Sequence, residues 1–89
     1  MEYRVLYSAE ARKALKQIDK YQAQIILGWI EKNLIGCNNP RLHGKPLMYD
    51  RKGEWRYRVG AYRLLANIQD STVTIEIINV GHRKNIYKR

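Results

Sequence analysis

The side chains best suited to chemistry fall in two stretches of this 89-residue chain. The first runs from Arg41 to Arg63 and contains Lys45, Arg51, Lys52, Arg56, Arg58 and Arg63. The second is the close of the chain, Gly81-His82-Arg83-Lys84-Asn85-Ile86-Tyr87-Lys88-Arg89. Between residues 51 and 63 arginine outnumbers lysine four to one. A guanidinium offers a planar fork that grips phosphate oxygens with two hydrogen bonds, whereas an ammonium acts as a point charge. A phenol such as Tyr87 adds a ring that can stack on a base. Arginines with one tyrosine therefore suit a phosphodiester. Lys45, Arg51, Lys52, Arg58, Lys84 and Lys88 are the candidate phosphate contacts. Arg56, Arg63, His82, Arg83 and Tyr87 are the candidates for the chemistry itself, with His82 the side-chain type that titrates near neutral pH.

Other groupings are missing. The sequence has no Gly-rich phosphate loop, no serine nucleophile elbow and no Cys/His spacing for zinc. Near the basic residues the carboxylates are Glu54 and Asp50, too few to argue for magnesium. No cofactor or metal is expected. Cleavage of RNA needs neither, because the substrate supplies its own nucleophile, the 2′-hydroxyl beside the scissile phosphate. The protein must orient that group, take its proton, stabilise the phosphorane charge and protonate the leaving oxygen.

The elements that must carry these residues can be read from periodicity. Glu54 to Val59 alternates strictly, with Trp55, Tyr57 and Val59 on one face and Glu54, Arg56 and Arg58 on the other. Gly60-Ala61 is a tight hairpin connection. The next strand sets Tyr62, Leu64, Ala66 and Ile68 against Arg63, Leu65 and Asn67, and after Gln69-Asp70-Ser71 a β-branched strand runs from Thr72 to Val80. If the aromatic face is buried, Arg56, Arg58 and Arg63 share the open one. Upstream, Glu2 to Tyr7 reads as an opening strand and Leu47 to Asp50 as a short one. Ser8 caps a helix starting at Ala9, with Ala11, Ala14, Leu15 and Ile18 on one face. Asp19, with Gln22 three residues on, caps a second helix whose buried stripe is Ala23, Ile26, Leu27, Ile30 and Leu34. Trp29 lies off that stripe, at the seam with the first helix, and Gly36 stops the helix. The expected fold is α+β: an antiparallel-rich sheet of about four strands with an N-terminal helical hairpin packed on one face, forming one domain over residues 1–89.

Composition sets the outer limits. The chain carries 17 Lys and Arg against 8 Asp and Glu, a formal net charge of +9, and is 45% hydrophobic. Disorder throughout is therefore excluded, and an anionic partner such as nucleic acid is indicated. Most of the excess lies in residues 41–63 and in the last nine. No apolar run approaches the roughly 20 residues that span a bilayer. The opening residues lack a signal-peptide pattern, and the single cysteine, Cys37, fits a reducing compartment, so a cytoplasmic protein away from membranes is expected.

Taken in order, Leu42-His43-Gly44-Lys45, Trp55-Arg56-Tyr57-Arg58-Val59-Gly60, Tyr62-Arg63-Leu64-Leu65, Val80-Gly81-His82-Arg83 and Tyr87 resemble the RelE/ParE toxin superfamily of type II toxin–antitoxin systems, on its RelE side. The resemblance covers nearly the whole chain. It implies a RelE-like fold and a ribosome-dependent endoribonuclease that cuts messenger RNA in the A site. It also implies neutralisation by an acidic, helical RelB-like antitoxin, which contacts operator DNA on behalf of the pair. By the same resemblance Arg56 and Arg58 match the basic strand positions that contact RNA, some of which are lysines that transfer protons in relatives. Arg63 matches the arginine that stabilises transition-state charge, Arg83 the one at the leaving group, and Tyr87 the tyrosine that orients the substrate base. Alanine at position 61 departs from the aspartate of many relatives. His43 reads as structural or a phosphate contact. Two other readings remain open at this point: a ParE-like inhibitor of DNA gyrase, and an RNA- or ribosome-binding module without catalysis.

Overall fold

A computed structural model describes residues 1–47 and 53–82. The candidates Arg51, Lys52, Arg83, Lys84, Tyr87 and Lys88 lie outside the described residues, as does most of the short strand expected over Leu47 to Asp50. In chain order the elements are β1 (Arg4–Tyr7), α1 (Ala9–Gln17), α2 (Lys20–Asn33), β2 (Lys45–Pro46), β3 (Glu54–Val59), β4 (Tyr62–Gln69) and β5 (Thr74–His82), with a 3₁₀ turn at Asp70–Thr72. The sheet has five strands in the order β1-β5-β4-β3-β2. All neighbours are antiparallel except β1, which lies parallel to β5. The fifth strand is β2, which forms at Lys45–Pro46, just before the stretch expected from the sequence.

Local signals account for most boundaries. The Ser8 hydroxyl accepts from the Ala11 amide at 2.9 Å and donates to the Ile78 carbonyl at 2.6 Å, so the helix cap is also a tie to the sheet. Asp19 caps α2 by accepting from the Gln22 amide. β1 starts at Arg4 rather than Glu2 because Tyr3 is already engaged elsewhere: its amide donates to the Cys37 carbonyl, and its carbonyl accepts from Gly36. The β3–β4 hairpin turns at Gly60 and Ala61, where Gly60 takes φ of 61°, the left-handed first position that a type II′ turn requires.

Both helices pack on the face that carries Tyr57, Val59, Leu64, Ala66, Ile75, Ile77 and Val80, meeting it with Ala11, Ile26, Ile30 and Leu34. Two sequence expectations shift here. Leu27 is 41% exposed, because it stands one helical step of about 100° on from Ile26, past the edge of the buried arc. Trp29, expected at the seam with the first helix, packs its ring against those of Tyr57 and His43 at centroid distances of 5.6 and 5.7 Å. The pairing of β4 with β5 also contains a bulge. Leu65 pairs with Asn79 but Ala66 pairs with Ile77, which leaves Ile78 as an extra residue. The side chains of β5 beyond this point therefore change face.

Candidate functional site

The open face is built from the alternation of β3 and β4. Tyr57 and Leu64 are each 0% exposed on the helix side, which forces Arg56, Arg58 and Arg63 outward on the other. Register then brings like charges together: Arg58 stands directly across from Arg63, and Lys45 directly across from Arg56. Like charges in such positions repel. With Gly44 and part of Tyr57, these four residues line a depression of about 240 Å³. Arg63 is half-buried there, and its Nη1 is shut off from solvent with no hydrogen-bond partner among the described residues. A buried cationic donor without an acceptor is costly.

The loop between α2 and β2 is held against β3 by several ties. The Tyr57 hydroxyl donates to the Pro40 carbonyl at 2.6 Å, and the Trp55 indole donates to the His43 carbonyl at 2.7 Å. Gly44, at φ 79°, lies so close that a β-carbon would fall on the Arg56 carbonyl oxygen and 2.7 Å from Trp55 Nε1. Only glycine permits this approach. Farther out, the Arg41 guanidinium grips both Asp70 oxygens at 3.1 and 3.0 Å and lies 5.9 Å from the Trp55 ring, while the Tyr3 hydroxyl donates to Asp70 at 2.6 Å. The Arg41 bonds first, and then the Tyr3 bond, hold the Asp70 carboxyl below its ordinary pKa. Burial pushes the Tyr57 hydroxyl well above the usual tyrosine range.

Of the sequence candidates that are described, Lys45, Arg56, Arg58 and Arg63 come together. His82 does not join them. Because of the bulge, Gly81 stands opposite Arg63, and His82 stands opposite Tyr62, whose ring it meets edge-on at 5.7 Å. His43 sets its ring against Trp29, and its carbonyl accepts from the Trp55 indole. Sequence reasoning passed over the Arg41–Asp70–Tyr3 cluster, which spans 67 positions of chain and leaves no local pattern. It also passed over the close approach at Gly44, whose one visible signal was a glycine beside a lysine.

Residues 5–87 match the family model for the ParE toxin of type II toxin-antitoxin system, parDE. Toxin RelG of Mycobacterium tuberculosis (strain ATCC 25618 / H37Rv) is 33% identical over 89 residues, the full length of both chains. The chain belongs to the RelE/ParE toxin superfamily. Toxin RelE of the same organism is 31% identical over 86 residues, covering 97% of this chain and 87% of the relative. Among solved structures, the toxin–antitoxin complex RelBE2 of M. tuberculosis superposes with a TM-score of 0.81 at 29% identity, covering 96% of this chain and 95% of the other. A mutant of E. coli toxin RelE in the free state follows with a TM-score of 0.78, 18% identity and coverage of 97% and 88%. The fold of this superfamily member is thus RelE-like, and it is a toxin of the type II class within the RelE family. Among the described residues, no helix is long and apolar enough to cross a membrane.

Proposed function

We propose that this toxin is a metal-independent endoribonuclease that cuts messenger RNA in the ribosomal A site, by attack of a 2′-hydroxyl on the adjacent phosphate. The observation that carries the reading is one depression lined by Lys45, Arg56, Arg58 and Arg63, the last with a buried Nη1 that finds no acceptor among the described residues. Positive charge poised before the substrate arrives is what a phosphorane needs, since its extra negative charge develops only in the transition state. In this reading Arg63 stabilises that charge, and Arg56, Arg58 and Lys45 hold flanking phosphates. Arg51, Lys52, Lys84 and Lys88 extend the grip along the strand. Arg83 serves the leaving group and Tyr87 orients the base, as in the relatives that the chain resembles. His82, on the opposite face, fits a structural place at the end of β5 better than direct proton transfer.

The partner in this reading is a RelB-like antitoxin, acidic and helical, which neutralises the basic face and carries the pair to operator DNA. Its support is the net charge of +9 together with solved relatives whose complexes pair a toxin with an antitoxin. The protein would then act in the cytoplasm. Brief induction followed by primer extension tests the activity. Cuts in phase with codons, abolished by Arg63→Ala, are the expected outcome. Intact message accompanied by DNA breaks would instead point to gyrase as the target, the reading favoured by the ParE name of the matching family.

A further inference from the structure

The depression holds three arginines, yet removal of the 2′-hydroxyl proton needs a group that can exist without its own proton. A guanidinium stays protonated at every working pH. Tyr57 has already committed its hydroxyl to the Pro40 carbonyl, and its burial opposes ionisation. Gly44 has no side chain. Among the described residues lining the depression, this leaves one.

We propose that Lys45 is the general base of this toxin, an inference that rests on the endoribonuclease reading above. The position supports it. Lys45 stands across from Arg56 at the edge of the sheet, so an amine and a phosphate-gripping guanidinium face the same depression. The backbone beneath it is constrained on both sides. The Trp55 indole holds the carbonyl two residues before it, and Gly44 seats the peptide just before it against Arg56. Pro46 follows, with φ limited by its ring. The point from which the amine reaches into the depression is thereby fixed.

In the proposed step the neutral Lys45 amine takes the 2′-hydroxyl proton as the 2′-oxygen bonds to phosphorus. The bond from phosphorus to the 5′-oxygen breaks, and that oxygen leaves with the electron pair and takes a proton from water. The products are a 2′,3′-cyclic phosphate and a 5′-hydroxyl, and the Lys45 ammonium returns its proton to solvent. No metal or redox partner enters.

Single-turnover cleavage of a defined message on programmed ribosomes, measured against pH with purified full-length toxin, tests the proposal. Lys45→Arg keeps the charge and the reach but cannot act as a base. It should lower the saturating rate on the order of 10²-fold or more while leaving half-saturation and the melting temperature unchanged. Any rise of rate with pH in the wild type should disappear in this variant. Aminoethylation of Lys45→Cys in a Cys37→Ser background restores an amine of lower basicity. It should recover cleavage with the pH limb displaced to lower pH, a shift that a merely structural side chain would not produce. A Lys45→Arg variant with wild-type rate and pH limb would overturn the proposal and reduce Lys45 to a phosphate contact, leaving the endoribonuclease reading intact. A wild-type toxin that leaves ribosome-bound message uncut would overturn both.

Discussion

Arg41 and Arg63 are the same residue type in two opposite states. The Arg41 guanidinium is paired: two bonds to Asp70, a ring beside it, and Tyr3 donating to the same carboxylate. Arg63 faces another arginine across the strand pair and buries a donor that nothing among the described residues accepts. The first arrangement closes a loop onto the sheet and asks for no partner. The second leaves a buried donor without an acceptor among the described residues, which is unfavourable as it stands. Charge count does not separate the two, because each contributes one unit to the net +9. What separates them is whether the fold has placed a carboxylate within reach.

The contrast is sharpest at Arg63 itself. Arg63→Ala should lower the cleavage rate on the order of 10²–10³-fold, the loss typical of removing one donor from a preorganised anion site. Its melting temperature should stay level or rise, since the side chain removed is an unsatisfied one. A variant that instead loses stability would mean that Arg63 is already paired in the folded protein.

Next in size is Gly44→Ala, which places a β-carbon on the Arg56 carbonyl and strains a φ of 79°. Denaturant titration should show a loss of about 1–3 kcal/mol. Cleavage should fall further than stability accounts for, because the loop that presents Lys45 is pushed off the sheet. Trp55→Phe tests the same tie more gently. It keeps most of the ring and removes the bond to the His43 carbonyl, so a loss of about 1 kcal/mol is expected by the same titration.

The smallest effect belongs to the satisfied cluster. The side chains of Arg41 and Asp70 are 38% and 57% exposed, so solvent screens the pair, and Arg41→Ala should cost less than about 1 kcal/mol. Its sign with pH can be stated. The Asp70 carboxyl is depressed in the folded chain, so its contribution is present above the unfolded-state carboxylate pKa and is lost as pH falls through the folded one. Acid melting curves of Arg41→Ala should therefore converge on those of the wild type at low pH and separate toward neutrality. Cleavage by this variant should change little, in contrast to Arg63→Ala.

Much of the sheet could be read from the chain because its signals are local. The alternation from Glu54 to Val59 assigns faces within one strand, and Gly60 marks the hairpin that sets the register of Arg58 against Arg63. Ser8 and Asp19 cap the helices through bonds three residues long. The stripe of α2 was legible except at its margin, where Leu27 falls outside the arc that two helices can cover. The site was legible to the same extent: Arg56, Arg58 and Arg63 share a face because a period of two admits no other result once Tyr57 and Leu64 are buried.

The remaining features depend on contacts between distant parts of the chain. No local pattern announces that β1 lies parallel to β5, that Tyr3 and Arg41 converge on Asp70, or that Lys45 pairs with Arg56. His82 shows the limit most clearly. Its composition marks it for chemistry, yet one extra residue at Ile78 turns it onto the face of Tyr62 and brings Gly81 opposite Arg63. A bulge changes face by adding a residue to one strand and not to its neighbour, so it exists only in the pairing. The sequence by itself determined a basic α+β domain with three arginines on one sheet face. Tertiary structure decided which of its cations are paired, which histidine is turned away, and that a lysine stands among the arginines, because burial and register are properties of strands in contact.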